Sequence, residues 1–246
     1  DTTAKNNAIE TEKAKAAEKE RLANDLISAK NALASNLEIP VTDAYISALK
    51  AFKQNKTTAN SNAVNEIAQK ILKSKEVKDA MELLKESDSR TVDPTNLTTE
   101  QLKELNIRMA QFVEDVRTKF GTFSPTMVRV SEESVNLSKL IGETYKNAIR
   151  KAKNTTSPTV FDAADFGHLK SNESVGANLA KAGYNTTALP VRMETLAYSP
   201  ETNMTTMGEL KAEVYNSMIR WLYDDELSDD LGSLQSLPPR FKRFSC

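Results

Sequence analysis

Cysteine and glycine are scarce in this chain of 246 residues. The single cysteine is Cys246, the last residue, so the chain can build no internal disulfide, no cysteine-rich zinc site and no cysteine nucleophile with a downstream partner. Seven glycines are too few for most of the tight turns that sheet proteins and phosphate-binding loops need. Alanine, lysine, glutamate, leucine and asparagine are abundant instead, and this composition predicts a mostly helical protein.

An excess of charge of one sign is also missing, because 33 basic residues nearly balance 34 acidic ones. A chain without a net field has no general attraction for nucleic acid or for an anionic membrane, so neither is an expected partner. No stretch reaches 18 consecutive apolar residues, and no membrane span is predicted. The apolar content of 39% is nevertheless enough for a real core, which excludes a wholly disordered chain.

The motifs of several familiar enzyme and ligand-binding classes are missing as well. The chain contains no G-x-S-x-G and no H-E-x-x-H, and it has no glycine-rich phosphate loop. The acidic run from Asp224 to Asp230 lacks the alternating ligands and central glycine of a calcium-binding loop. His168 is the one histidine, and a lone imidazole in a polar loop is expected to be solvated or hydrogen-bonded.

The first 37 residues predict one long helix, since they contain neither glycine nor proline. Apolar residues recur there at spacings of four, three and four, at Leu22, Leu26, Ala29 and Leu33. Lys19 and Glu12 occupy the same seam upstream, so a continuous heptad pattern is not sustained. A coiled-coil stalk and a helix of a bundle therefore both remain open.

Two more helices are predicted before residue 90. Pro40 ends the first pattern, and Thr42 with Asp43 can cap a short helix. After a polar link at residues 55–62, a helix at about 63–85 repeats apolar residues with the period of one buried face. Three helices joined by short links favour an antiparallel bundle.

A polar segment from Ser87 to Thr98 marks a predicted domain boundary, which divides a helical stalk or bundle at 1–90 from a second domain at 91–232. The segment 233–246 turns abruptly basic and proline-rich after an acidic helix end. We therefore expect it to be a non-native or disordered tail.

The second domain is predicted to combine helices with a small sheet. Its helices are expected at about 98–121, 131–153, 174–182 and 206–223. Thr126–Val130 and Val191–Ser199 have the alternation of strands. Apolar stripes that include Phe112 and Trp221 predict core packing on two of the helices. The expected fold class is α+β, predominantly helical.

The order of segments in this second domain resembles a known family. A helix ending in VRTKFG, an extended TMVRV, a long helix, a histidine-containing loop, METLAY and TMGELKAEVYNSMIRWLYDD follow one another. This order is similar to the CAP superfamily (cysteine-rich secretory, antigen-five and pathogenesis-related proteins), in the divergent form of bacterial surface-exclusion and related cell-wall-anchored proteins. The resemblance covers residues 98–231, and it implies a CAP-like α-β-α head with a small antiparallel sheet after a helical stalk or bundle.

The resemblance also implies a cavity, which two histidines and two acidic residues line in CAP domains and which binds a divalent metal in some members. By resemblance, His168 would be the first histidine and Glu194 the first acid. Asp225 or Glu226 would be the second acid. The family's second histidine has no counterpart in the corresponding residues 231–233, so we expect no cofactor, and a divalent metal held by the remaining residues is the alternative.

A different alignment places VGANLA, residues 175–180, on the family's glycine-glutamate-asparagine motif. It puts Ala177 where the glutamate is expected and leaves METLAY without a role. The alignment through Glu194 is therefore preferred.

The function implied is that of a non-enzymatic ectodomain of a Gram-positive cell-surface protein, secreted or anchored to the cell wall. It would mediate or block contact, as an adhesin for host or other cells or in surface exclusion. Expected partners are a protein or glycan ligand on a host or neighbouring cell and, through the first helix, a second copy of the chain. The alternatives are a metal-assisted hydrolase or protease that uses a degenerate CAP cavity, and a structural spacer with an inert head. The lack of internal cysteine fits an exported Gram-positive protein and a cytosolic one equally well.

Overall fold

The computed structural model describes residues 2–121, 128–153, 169, 174–185 and 203–224. Eight helices account for 78% of these residues, which confirms a predominantly helical protein. In chain order the helices are α1 (Thr2–Ser35), α2 (Asp43–Gln54), α3 (Thr58–Leu72), α4 (Lys75–Ser87), α5 (Thr99–Phe120), α6 (Glu132–Lys153), α7 (Val175–Lys181) and α8 (Met207–Tyr223). None of the described helices is both long and apolar enough to cross a membrane.

Capping boxes define where α5 and α8 begin. Thr98 and Thr206 each accept a hydrogen bond from the backbone N–H three residues further on. Gln101 and Glu209 return the contact by accepting from the backbone N–H of the capping threonine, which satisfies two otherwise unpaired amides. Helix α5 ends at Gly121 in the left-handed conformation with φ 61°. The predicted bounds of α5 and the predicted start of α8 are thus confirmed.

The helix predicted over residues 63–85 is two helices in the structure. Helices α3 and α4 are separated at Lys73 and Ser74, and the Ser74 hydroxyl accepts from the backbone N–H of Val77 at 3.2 Å. This cap starts a new helix, and the apolar residues step by five from Leu72 to Val77, outside the three-and-four spacing of one helix face. The prediction of one helix was wrong because both this five-residue step and the serine cap mark a helix boundary. Helix α3 also begins earlier than expected, directly after its cap Thr57.

One hydrophobic core joins helices from both halves of the sequence. Helix α8 packs against α3, α4 and α5, while α1 packs against α4 and α2 against α3. The largest buried side chains of this core are Ile39, Tyr45, Phe52, Leu84, Phe112, Tyr215, Met218, Ile219 and Tyr223. The predicted stripes on α5 and α8 are confirmed as core, with Trp221 partly buried at its margin. Residues on both sides of the predicted boundary near residue 90 share this core.

The described part of the chain contains no β-strand, so the predicted small antiparallel sheet is not found there. An isolated antiparallel bridge joins Thr91 to Thr206. In the predicted strand Thr126–Val130, residues 128–130 have no regular structure, and Val128 packs against the helical core. A strand needs a neighbouring strand to pair with by hydrogen bonds. Val128 is instead partly buried against helices. The other predicted strand, Val191–Ser199, lies outside the described residues.

Helix α1 confirms the long helix predicted from the sequence and stands clear of the core along most of its length. Ala34 is the one buried residue among its 34. At 1.5 Å per residue the helix is about 50 Å long. The seam leucines Leu22, Leu26 and Leu33 are 53%, 55% and 62% exposed. Most of α1 is therefore a rod in solvent whose C-terminal end is held by the bundle.

Candidate functional site

The four residues predicted to line a metal cavity lie outside the described residues. They are His168, Glu194, Asp225 and Glu226. Within the described ranges, no group of three or more histidine, cysteine, aspartate or glutamate side chains is arranged to hold a metal ion. The CAP-like cavity therefore stays a prediction, and the polar chemistry that the structure does describe lies elsewhere.

A polar junction lies where α1 meets the bundle, and buried Arg108 of α5 is at its centre. Its guanidinium donates hydrogen bonds to the carbonyl oxygens of Ala34 at 2.5 Å, Ser35 at 3.0 Å and Leu37 at 3.4 Å. The last carbonyls of a helix have no partner within it, so Arg108 caps the C-terminal end of α1 with a cation where the helix dipole is negative. The guanidinium also lies 4.2 Å from the centroid of the Phe112 ring.

Burial lowers the pKa of Arg108, because removal from water disfavours the charged form. Arginine still remains protonated at neutral pH, and its fork of N–H groups matches several oxygens at once. The site thus orients the end of α1 by a charge that cannot be lost.

Two further α5 residues hold the loop that follows α1. The Asp115 carboxylate accepts from the backbone N–H of Ile39 at 2.7 Å, and the Lys119 ammonium donates to the Ile39 carbonyl at 2.7 Å. Lys119 also pairs with Asp115 at 3.1 Å and with exposed Glu38 at 2.8 Å. The hydrogen bond from Lys119 lowers the pKa of Glu38. Both backbone polar groups of Ile39 are therefore satisfied by side chains of α5.

A network of four charges ties the segment after α4 to α5 and α8. The Asp88 carboxylate accepts from Arg90 at 2.8 Å and from Lys211 at 2.7 Å. Glu104 accepts from the same two cations, at 2.7 Å from Arg90 and 2.6 Å from Lys211. Two carboxylates and two cations cancel, so the network has no net charge to offer a ligand.

The carboxylates of this network stay ionised at neutral pH. Burial by itself would raise the pKa of Asp88, but the hydrogen bonds from Arg90 and Lys211 outweigh burial and hold that pKa well below its usual range. The same opposition, with Lys211 the larger favourable partner, lowers the pKa of Glu104. A group that holds its proton so weakly is a poor general acid near pH 7. The network is therefore suited to positioning rather than to proton transfer.

Gly208 lets the segment after α4 lie against the first turn of α8. The backbone N–H of Gly208 donates to the Asp88 carbonyl at 2.8 Å, and the N–H of Met207 donates to the Arg90 carbonyl at 2.9 Å. A Cβ on residue 208 would lie 2.3 Å from the carbonyl oxygen of Lys85, far inside van der Waals contact. This approach supplies partners for the free amides at the start of α8.

The networks of Arg108 and Asp88 border one cleft of about 170 Å³ between α1, α4, α5 and α8. Its lining includes Arg108, Glu104 and Lys211 together with Ala34 and Ile107. The arrangement sets the direction in which α1 leaves the bundle.

None of these junction residues was predicted from the sequence. Arg108 and Lys211 look like ordinary polar positions of amphipathic helices, and Asp88 belongs to a segment predicted as a linker. The one available signal was Gly208, a glycine in the first turn of a predicted helix, where a close backbone approach is a common reason.

No family model, no curated protein and no solved structure matches the chain. The resemblance to CAP domains therefore stays a prediction from the order of its motifs.

Proposed function

We propose that this chain is a non-enzymatic contact module of a Gram-positive cell-surface protein, secreted or wall-anchored, in which α1 is a spacer and the bundle is the displayed body. The observation that supports the proposal is the exposure of α1, a helix about 50 Å long with one buried residue at its far end. A rod of that length holds a folded body away from its point of attachment, where it can reach another surface.

The local chemistry of α1 suits a helix that has to persist in water. It has no glycine or proline, and its exposed side chains form ion pairs one turn apart. These pairs are Lys13–Glu10, Lys15–Glu12, Arg21–Glu18 and Arg21–Asp25. Pairs of this kind, three or four residues apart, add modestly to the stability of a solvent-exposed helix. Together with the Arg108 cap, they make α1 a stiff element of defined direction.

The partner in this proposal is a protein or glycan on a host or neighbouring cell. Its test is the binding of the whole chain, displayed on fluorescent beads, to cells and to arrays of matrix proteins and glycans. Two attachment points in a Cys246→Ser background separate the role of the spacer from that of the bundle. Thr2→Cys attaches the bead at the tip of α1, and Lys53→Cys attaches it at an exposed position of the bundle.

Saturable binding is expected from beads attached through residue 2 and a clear loss from beads attached through residue 53, because the second geometry turns the bundle toward the bead. Equal binding from both would contradict a spacer role for α1. No binding in either geometry would overturn the contact function and favour a structural spacer with an inert head.

A metal-assisted hydrolase is the rival proposal, and it rests on His168, Glu194 and Asp225 or Glu226. A ligand that binds the folded state raises stability by an amount that grows with its concentration, about 2.7 kcal/mol at a hundredfold excess over Kd. On our proposal, zinc or calcium leaves the melting temperature unchanged and His168→Ala keeps both folding and cell binding. Stabilisation that rises with metal and is lost in His168→Ala would support the hydrolase instead.

A further inference from the structure

Helix α1 carries an exposed apolar stripe, Leu22, Leu26, Ala29 and Leu33, which we name the leucine face. We propose that the leucine face pairs with the same face of a second copy of this chain, with the two helices parallel, to form a short two-stranded coiled coil over residues 22–33. The proposal does not depend on the contact function above, since a dimer could form whether or not the bundle binds a cell.

The spacing of the leucine face fits such a pairing. Steps of four, three and four place its residues at successive d, a, d and a positions of a heptad, which meet across a two-stranded coiled coil. All three leucines are more than half exposed within the described structure. Several large apolar side chains grouped on one exposed helix face mark a contact surface far more often than isolated ones do.

The leucine face is accessible because it does not coincide with the face that packs on the bundle. Successive residues turn an α-helix by about 100°, so Leu26 and Leu33 lie about 80° and 100° around the axis from Ala34. Ala34 is the buried residue of α1, in the part of the helix that packs with α4. A second helix can therefore approach a quarter-turn away from the bundle without displacing α4. In a two-fold parallel pair the two bundles then lie on opposite sides of the coiled coil.

Charges beside the leucine face favour the parallel arrangement. Asp25 occupies a g position and Lys30 the following e position, so in a parallel pair Asp25 of each chain lies beside Lys30 of the other. In the antiparallel pair with matched leucines, Asp25 would instead face Ala32, and Lys30 would face Ala23. Within one chain, Asp25 already pairs with Arg21 and Lys30 with Glu86, and both ion pairs are partly exposed. The cross-pairs therefore add orientation more than strength.

The remaining charges of α1 do not oppose association, since the helix has six basic and five acidic side chains. Upstream, Lys19, Lys15 and Glu12 take the seam positions and end the apolar contact near residue 22. About two heptads bury much less than the roughly 1,600 Å² of a standard stable interface. The dimer is therefore reversible and forms as the protein concentration rises.

Sedimentation equilibrium of the full chain, from micromolar to millimolar concentration, tests the proposal. The average mass should rise from one chain toward two. Leu26→Glu should weaken association at least tenfold without lowering the melting temperature, because the side chain it replaces is exposed. Ile9→Glu is the matched control, since Ile9 is 45% exposed on the same helix but lies about 100° away from Leu26 around the axis.

Disulfide trapping in the Cys246→Ser background tests the orientation. Ala29→Cys should give a covalent dimer under mild oxidation, because residue 29 meets its own copy in a parallel pair. Asn24→Cys, on the opposite side of α1, should not.

A mass of one chain at every concentration would overturn the proposal, as would association that Leu26→Glu does not weaken. A melting temperature lowered by Leu26→Glu would show that the chain itself covers the leucine face. A dimer that forms without the residue 29 disulfide would contradict the parallel orientation.

Discussion

Tyr45 of α2 and Tyr223 of α8 join distant parts of the chain by reciprocal contacts. Their ring centroids are 4.8 Å apart in an edge-to-face arrangement. The Tyr45 hydroxyl donates to the Leu222 carbonyl at 2.7 Å, and the Tyr223 hydroxyl donates to the carbonyl of Pro40. Burial raises the pKa of both hydroxyls, so they remain protonated donors at neutral pH. The pair therefore holds α2 against the C-terminal end of α8.

Removing one of these hydroxyls should weaken the whole fold. Tyr45→Phe keeps the ring but leaves the buried Leu222 carbonyl without this donor, which should lower the free energy of unfolding by about 1–3 kcal/mol. Urea denaturation measures the change, and Tyr223→Phe with the double variant completes a cycle. An unchanged urea midpoint in Tyr45→Phe would show that the hydroxyl contributes nothing net.

Gly208→Ala should be far more disruptive than its size implies. The added methyl would meet the carbonyl oxygens of Lys85 and Leu84 at 2.3 and 2.7 Å, so α8 or the end of α4 must shift. We expect the free energy of unfolding to fall by about 1–3 kcal/mol, the usual range for overpacking. Gly142→Ala is the matched control, because nothing lies within 4 Å of a Cβ there, and it should stabilise α6 by about 0.4–1 kcal/mol. Equal effects at the two positions would contradict the close approach at Gly208.

Arg108→Met should loosen α1 from the bundle. The change removes the donors to the carbonyls of Ala34 and Ser35, and charged hydrogen bonds of this kind are worth roughly 1.5–3 kcal/mol. Hydrogen exchange should speed up at the amides of residues 30–39, ahead of those in α5 and α8. Arg21→Met, which removes an exposed arginine of α1, should leave the exchange of residues 30–39 unchanged. Uniform acceleration throughout the bundle would instead mean that Arg108 supports the core as a whole and not the end of α1.

Acid should destabilise the protein through Asp88 and Glu104. Both carboxyls have lower pKa values when folded than when unfolded, so the unfolded chain takes up protons first as the pH falls. Their contribution is complete at neutral pH and is lost progressively below about pH 5.

Asp88→Asn should lower stability at pH 7 by about 1–3 kcal/mol, because Lys211 and Arg90 lose a charged partner. The same substitution should also reduce the amount of unfolding free energy that is lost between neutral and acid pH. Urea midpoints measured from pH 7 down to pH 3 test this, with Glu20→Gln on α1 as an exposed control. A parallel acid profile in Asp88→Asn and the parent chain would contradict a role for Asp88 in acid sensitivity.

Several elements could be predicted because their signals are local. Thr98 and Thr206 begin helices because a hydroxyl and a side chain three residues on satisfy the first amides, and Gly121 ends α5 because glycine accepts positive φ. The break at Ser74 also had local signals, a capping serine and the five-residue apolar step from Leu72 to Val77, which the prediction of a single helix did not take into account. The strand expected at Thr126–Val130 was wrong for residues 128–130, since alternation shows that a segment suits a strand but not that a neighbour exists to pair with it.

The candidate site shows the same division. His168 and Glu194 were singled out by residue type and by resemblance, and their proximity stays a prediction because they lie outside the described residues. The junction around Arg108 and Asp88 was not predicted, because its residues come from four separate segments and only Gly208 carried a local signal.

The sequence by itself determined that this protein is helical, where most of its helices begin and end, and that the first of them is long, with leucines along one side. Those properties depend on caps, propensities and spacing within a few residues of one another. Only the tertiary structure decided that α8 completes a core with helices from before residue 90, and that the leucines of α1 stay in water. Contacts such as Tyr45 with Leu222 join residues 177 positions apart, and which helices meet over such separations depends on packing the whole chain at once.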